Sequence, residues 1–288
     1  DVISGSTGAS KVFTFDVEYE ISPDRRDPGR GISNLRRKTM TLETFFHENP
    51  RVALAFSGGV DSAYLLYAAR ACGAQVRAYY VQTAFQPAFE REDALRLARE
   101  LGAEMTVLPL DILDREEVCA NPPQRCYHCK RAIFSAILQA AAADGFDLVI
   151  DGTNASDDAG DRPGMRALRE LSVRSPLREC GLTKAEIRAR SREAGLFTWD
   201  KPAYACLATR IPTGEVITAE KLAATETAEA ELSGLGFSDF RVRLLDGCAR
   251  IQVRPEQLTL VLERREEILQ KLKPYYRAVV LDLEVRGE

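Results

Sequence analysis

The 288-residue chain has no apolar run approaching the roughly 18 to 20 residues that span a bilayer, and no stretch with a signal peptide's basic-then-apolar order. A cytoplasmic address without membrane partners is the expectation. Positive charge is not in excess: 39 Lys and Arg stand against 43 Asp and Glu, a formal net charge of −4. No overall basic field favours nucleic acid, so a small-molecule substrate is expected and nucleic acid is not. Two nucleotide-binding signatures are also missing. Without the Gly-Lys-Ser/Thr ending of a Walker loop and without G-x-G-x-x-G, neither a Walker NTPase nor a Rossmann dehydrogenase fits. An even cysteine framework is missing as well, because seven cysteines in a chain with no export signal argue for free thiols, metal ligands or catalysis rather than disulfides.

What is present is the composition of an ordinary globular protein, 45% hydrophobic and 28% charged, with room for one large or two modest domains. Residues 1–39 differ from the rest: "KVFTFDVEYEI" alternates like a half-buried strand between a Gly/Ser-rich stretch and the turn-rich "SPDRRDPGRG". We read 1–39 as an extension with no catalytic role and Met40 as a candidate native start. From residue 51 the pattern is strand then helix, repeatedly. "RVALAF", "VRAYYVQTA", "EMTVLPLD" and "FDLVIDGTN" are strand-length apolar runs, separated by the helical "DSAYLLYAARACG", "AFEREDALRLARELG" and "KRAIFSAILQAAAADG". Such strands predict an α/β fold: a parallel sheet with helices on both faces, here over residues 40–214, with ligands at the carboxyl ends of the strands. Thr183 to Glu186 reads as a capping box opening a further helix. Residues 215–288 then read as a small C-terminal α+β domain: a helix in "AEKLAATETAEAELSGLG", a hairpin around Asp246-Gly247, a helix in "EQLTLVLERREEILQKL" and a strand in "RAVVLDLE".

Chemistry concentrates in two places. In "AFSGGVDSAYLL" the glycines at 58 and 59 let the backbone turn tightly and bring N–H groups to an anion, while the following helix adds its partial positive charge. The loop reads as a phosphate cradle. "RCYHCK" places Cys126 and Cys129 at the spacing that lets two thiolates share a metal, and "PAYACLATRIP" supplies Cys206. Three thiolates can hold a 4Fe-4S cluster and leave one iron open. A zinc knuckle or a redox dithiol is the alternative for the pair alone, but zinc wants four ligands and His128 between the cysteines is badly placed. Cys72, Cys180 and Cys248 read as structural thiols, and Cys119 is left unassigned.

The string S-G-G-V-D-S at the first strand of an α/β pattern resembles the PP-loop of the adenine nucleotide alpha hydrolase superfamily, which holds the pyrophosphate end of ATP. More specifically, "AFSGGVDSAYLLYAA", "NPPQRCYHCKRAIF", "DGTNASDDAGDRPGMRAL", "SPL", "KPAYACLATRIPTG" and "FRVRLLDGCARIQV" together resemble the LarE family of ATP-dependent sulfur transferases, over nearly all of residues 41–284. Members convert the carboxylates of a pyridinium dicarboxylic acid mononucleotide to thiocarboxylates, on the route to the nickel-pincer nucleotide cofactor of lactate racemase. One variant sacrifices a single cysteine's sulfur; the other holds a 4Fe-4S cluster on three. All three positions are filled here, which favours the cluster.

Carried over residue by residue, the resemblance gives Ser57, Gly58, Gly59, Asp61 and Ser62 to the ATP phosphates, with Asp61 also a Mg²⁺ contact. Lys130 becomes a positive charge near the activated group. Asp151 and Asn154 end a strand on the ATP side, and Asp161 and Arg162 are candidates for orienting substrate. Arg210 follows the third cysteine as a candidate partner for a phosphate or carboxylate. Arg241 and Arg243 alternate on one strand, so both point to one face suited to the substrate's phosphate. A sulfide source or other sulfur donor is the implied partner, and a homo-oligomer is expected. Two other functions share these features. A cluster-dependent tRNA thiolase would need the RNA-binding domain that this acidic composition does not supply; a non-catalytic ATP sensor with a structural metal would not turn ATP into AMP and pyrophosphate.

Overall fold

Alternating side chains decide the first sheet, seen in a computed structural model that describes residues 40–157 and 163–286. In β1 (Arg51–Ala55) Val52 and Leu54 point to one face and Ala53 to the other. In β2 (Gln75–Gln82) Ala78 and Tyr80 join the first set, Tyr79 and Val81 the second. Both faces are therefore apolar and both are covered. One core takes in α1 (Leu42–Glu48), α2 (Val60–Ala71) and α8 (Lys184–Glu193); the other takes in α5 (Arg125–Ala143) and α6 (Pro163–Glu170). With β3 (Glu104–Pro109) and β4 (Val149–Ile150) the strands run parallel in the order β3-β2-β1-β4. α3 (Ala88–Glu100) is the crossover between β2 and β3. The short α4 (Glu116–Cys119) leads to α5, and α7 (Pro176–Glu179) precedes α8.

The second sheet belongs to the same compact unit and orders as β5-β6-β7. β5 (Arg241–Leu245) and β6 (Cys248–Gln252) form the expected hairpin, with Asp246 and Gly247 both at positive φ, as a two-residue turn of this kind requires. β7 (Val279–Leu281) adds parallel to β6. α9 (Ala219–Gly234), α10 (Leu258–Glu263) and α11 (Arg265–Leu272) cover one face through Ala228, Leu232, Val261, Ile268 and Leu272. Among the described residues no helix is long and apolar enough to cross a membrane.

Three expectations need correction. The helix expected from Lys130 starts at Arg125, so both cysteines of the C-x-x-C lie on it. The helix expected through 256–272 is interrupted at Arg264. The strand expected in "FDLVIDGTN" pairs over two residues alone, because after Ile150 the chain turns inward against α2. The capping box at Thr183 forms in full, each partner bonding the other's backbone N–H. The strand expected at 13–21 lies outside the described residues, as do Asp161 and Arg162.

Candidate active site

Crossovers leave β1 in one direction toward β2 and β3, and β4 adds on the other side, so a crevice opens at the carboxyl ends of β1 and β4. The two segments leaving the sheet there line a cavity of about 340 Å³: Ser57, Gly59, Asp61 and Ser62 after β1, and Asp151, Gly152 and Thr153 after β4, with Lys130 of α5 on its wall. Gly58 has φ +72°, and a Cβ there would lie 3.0 Å from the Ala94 Cβ and 3.1 Å from its Cα. Conformation and space both demand glycine. Gly59 caps α2 with no side-chain bond, which leaves the helix's first amides as donors for an anion. Gly152 is a requirement the sequence reading missed: a Cβ there would stand 2.9 Å from the Ser62 amide nitrogen. The post-β4 loop thus lies directly on the start of α2.

Inside this frame Ser57 and Ser62 bond each other, Oγ to Oγ at 3.1 Å, and the Ser62 hydroxyl donates to the Gly59 carbonyl. Asp61 receives the Lys184 Nζ at 2.6 Å on Oδ2, while its Oδ1 is buried with no hydrogen-bond partner. A carboxylate oxygen left bare beside a phosphate cradle fits a divalent cation. Burial raises the Asp61 carboxyl above its usual range, and the Lys184 ammonium opposes that rise. Asp151 accepts from the Ser175 hydroxyl of the "SPL" stretch at 2.6 Å and from the Thr153 hydroxyl, so it also fixes the loop. Asn154 is buried; its side-chain oxygen accepts from the Ser156 amide, and it shapes the turn rather than lining the cavity.

The thiols stand next to this cavity. Cys126 and Cys129 share one face of α5, one turn apart, and Lys130 follows directly on the cavity wall. Cys129 and Cys206 pack against the same buried cluster, which includes Phe85, Leu207 and Ala208. Burial pushes the Cys129 thiol up to about 12, and the neighbouring sulfurs of Cys206 and Cys126 add to the rise. Burial likewise raises Cys206, against the pull of Arg125. The three sulfurs therefore feel one another. Among the described residues no three His, Cys, Asp or Glu side chains close around a common point as a metal ion requires. The donor set, three thiols with no carboxylate or imidazole among them, suits iron-sulfur ligation. Cys119 turns its thiol to the Leu113 carbonyl at 2.8 Å.

The segment carrying Cys206 is held from two sides. From the first, Arg125 donates to the Ala208 carbonyl (2.9 Å) and to Asn121 (2.7 Å), while Asn121, at φ +53°, donates to Pro212 (2.7 Å). The Leu207 amide meets the Phe85 carbonyl at 2.9 Å, one residue before Gln86 on the cavity wall. From the other side, Glu229 of α9 takes both arms of Arg210, at 2.8 and 3.0 Å, and the Tyr204 hydroxyl. Arg210 itself is fully buried and donates on to the Ala205 carbonyl at 2.7 Å. Arg241 is buried too, stacked on Tyr204, with its donors on the Phe240 and Ala203 carbonyls. Arg243 donates to the Thr209 carbonyl at 3.0 Å. Sequence reasoning missed Glu229, Arg125, Asn121 and Lys184. One signal for Glu229 existed: with Leu222, Thr225 and Leu232 it follows the buried stripe of α9.

A parallel sheet, a glycine cradle at its topological switch point and a buried bare carboxylate oxygen are the features of an α/β enzyme of the PP-loop kind, a family that uses ATP and Mg²⁺. No protein-family profile matches the chain. It is 32% identical over 255 residues to the pyridinium-3,5-bisthiocarboxylic acid mononucleotide synthase of Lactiplantibacillus plantarum, covering 88% of this chain and 92% of that protein. It is 38% identical over 256 residues to an uncharacterised protein of Synechocystis, covering 87% and 95%. The tRNA-specific 2-thiouridylase of Thermotoga maritima matches at 27% over 193 residues, about half of either chain. The chain belongs to the LarE family of ATP-dependent sulfur transferases.

Proposed function

We propose that this enzyme activates a carboxylate of a pyridinium dicarboxylic acid mononucleotide and exchanges one of its oxygens for sulfur, with Cys126, Cys129 and Cys206 holding a 4Fe-4S cluster. The carrying observation is the path of α5, which sets Lys130 on the wall of the cavity beside the glycine cradle, with Cys129 next to it in the chain and Cys126 one turn earlier. The glycine cradle and the α2 amides bind the β- and γ-phosphates, and Asp61 holds Mg²⁺ through its free oxygen. The substrate carboxylate attacks the α-phosphorus and pyrophosphate leaves. Lys130 offsets the negative charge that gathers on the acyl adenylate. A sulfide equivalent then adds to the carbonyl carbon, AMP departs with the carboxyl oxygen, and the thiocarboxylate remains after loss of a proton. When bound, the cluster supplies a sulfur nucleophile that a sulfide source can renew. The chain's part is to keep three thiols close together beside the adenylate, Cys126 open to solvent and Cys129 and Cys206 partly buried. Free thiols of this kind persist in the cytoplasm, where we place the enzyme.

The test is anaerobic preparation followed by iron and sulfide analysis and by turnover with the pyridinium mononucleotide, ATP and sulfide. Several thiocarboxylates per chain are expected, with pyrophosphate release that depends on substrate, and Cys206→Ala should lose both iron and product. Protein without iron, together with a Cys206 lighter by the elements of hydrogen sulfide after one round, would instead make Cys206 a consumed sulfur donor.

A further inference from the structure

Among the described residues three arginines are buried: Arg125, Arg210 and Arg241. Two of them have a carboxylate for company. Glu229 takes Arg210 on both arms, and Asp239 stands 3.7 Å from Arg241. Arg125 differs, for among the described residues no carboxylate lies within ion-pair distance of it, although it is only 9% exposed. Its donors go to the Asn121 side-chain oxygen at 2.7 Å, the Ala208 carbonyl at 2.9 Å and the Cys126 sulfur at 3.7 Å. A guanidinium does not shed its proton at any pH that a folded protein meets, so burial without a counter-charge is strongly destabilising. A negative charge is missing from this place.

The three thiols can supply it, because sulfur binds metal as thiolate. Besides its contact with Cys126, Arg125 opposes the rise that burial gives the thiols of Cys129 and Cys206. The first turn of α5 adds its partial positive charge, since the N-cap Gln124 makes no side-chain bond there. We infer that Arg125 is the positioning residue of the sulfur centre: its guanidinium braces the Cys206 segment against the C-x-x-C and is the fixed counter-charge of the thiolates that hold the cluster. The inference rests on the cluster proposed above and deepens it. One nitrogen reaches Ala208, two residues past Cys206, and the other reaches Cys126, so a single side chain spans both cysteine segments. Asn121 extends the brace to the Pro212 carbonyl. The charge also serves the substrate, because an acyl adenylate arrives with a negative phosphate that bare thiolates would repel.

The test compares wild-type protein with Arg125→Gln, which keeps a donor and loses the charge, and with Arg125→Lys, which keeps the charge and loses the fork. In anaerobically prepared protein the midpoint potential of the cluster is read by redox titration followed by electron paramagnetic resonance. A neighbouring cation favours the electron-rich state, so the cluster in Arg125→Gln should be roughly tenfold harder to reduce, about 59 mV lower for one electron, while Arg125→Lys stays near wild type. A second measurement needs no iron. In metal-free protein iodoacetamide should alkylate the exposed Cys126 severalfold more slowly in Arg125→Gln than in wild type or Arg125→Lys, because the thiolate is the nucleophile. An unchanged potential in iron-loaded Arg125→Gln would overturn the inference. Iron held by Arg125→Lys and not by Arg125→Gln supports it; iron lost from both reduces Arg125 to a brace and overturns the counter-charge. If wild-type protein itself holds no iron, alkylation decides: a slower rate in Arg125→Gln alone leaves the counter-charge standing while the cluster assignment fails, and equal rates overturn both.

Discussion

Glu229→Ala is the perturbation whose cost follows most directly from the geometry. The carboxylate takes Arg210 on both oxygens, accepts the Tyr204 hydroxyl and receives the Val242 amide at 3.0 Å. Side-chain exposure is 0% for Arg210 and 7% for Glu229, so water cannot replace the lost partner. Stripping one member from a buried pair leaves an uncompensated charge and costs about 3–5 kcal/mol. For a unit of about 250 residues the unfolding entropy is ~0.5 kcal/mol/K, so the melting temperature should fall by roughly 6–10 °C. Calorimetry measures the fall, and the alkylation rate of Cys206 measures what it does locally. That rate should rise, because Arg210 no longer holds the Ala205 carbonyl in place. A paired Arg210→Met/Glu229→Leu variant, which removes both charges and keeps volume, should recover most of the lost stability. A fall under about 2 °C for Glu229→Ala, or a double variant no better than the single one, would refute the reasoning from the buried Arg210–Glu229 pair.

Two further outcomes are expected. Gly152→Ala presses a methyl group onto the Ser62 backbone, where no rotamer change can relieve it, so affinity for an ATP analogue should fall by roughly tenfold or more while the fold persists; wild-type affinity by calorimetry would contradict the close approach. Burial pushes the Glu90 carboxyl up to about 7 from 4.5, with Asp93 adding to the rise while Lys201 and Arg210 oppose it. The folded chain therefore holds that proton more tightly than the unfolded one, and the stability so gained is whole below pH 4.5 and lost as pH climbs through 7. Glu90→Gln should melt with wild type near pH 5 and above it at pH 8, by up to roughly 3 kcal/mol. Equal melting at both pH values would dismiss the burial effect.

The parts legible in the sequence are those written in adjacent residues. Gly58 and Gly59 sit between an apolar strand and a helix start, and a cradle needs nothing more. The capping box at 183–186 and the turn at Asp246-Gly247 are equally local. The start of α5 is legible in principle from Pro122 and Pro123, which precede it, although the apolar periodicity marks the helix only from Lys130. The break at Arg264 carries no local mark: neither Gly nor Pro lies near it. What stayed hidden are pairings across the chain. Lys184 with Asp61, Arg125 with Ala208 and Glu229 with Arg210 join residues that no spacing rule relates. Arg210 shows the consequence, since a guanidinium near a cysteine reads as a ligand for substrate until its partner in α9 is seen.

The contacts that hold the Cys206 segment come from both early and late parts of the chain, which has a consequence during synthesis. Everything that lines the cavity beside the glycine cradle, from Ala55 to Thr153, leaves the ribosome before Cys206, and Cys206 leaves before Glu229, Arg241 and Arg243. A nascent chain thus completes that cavity first and secures the Cys206 segment last. Until the C-terminal hairpin has emerged, the cavity is in place while the contacts that Glu229, Arg241 and Arg243 make to the Cys206 segment are not.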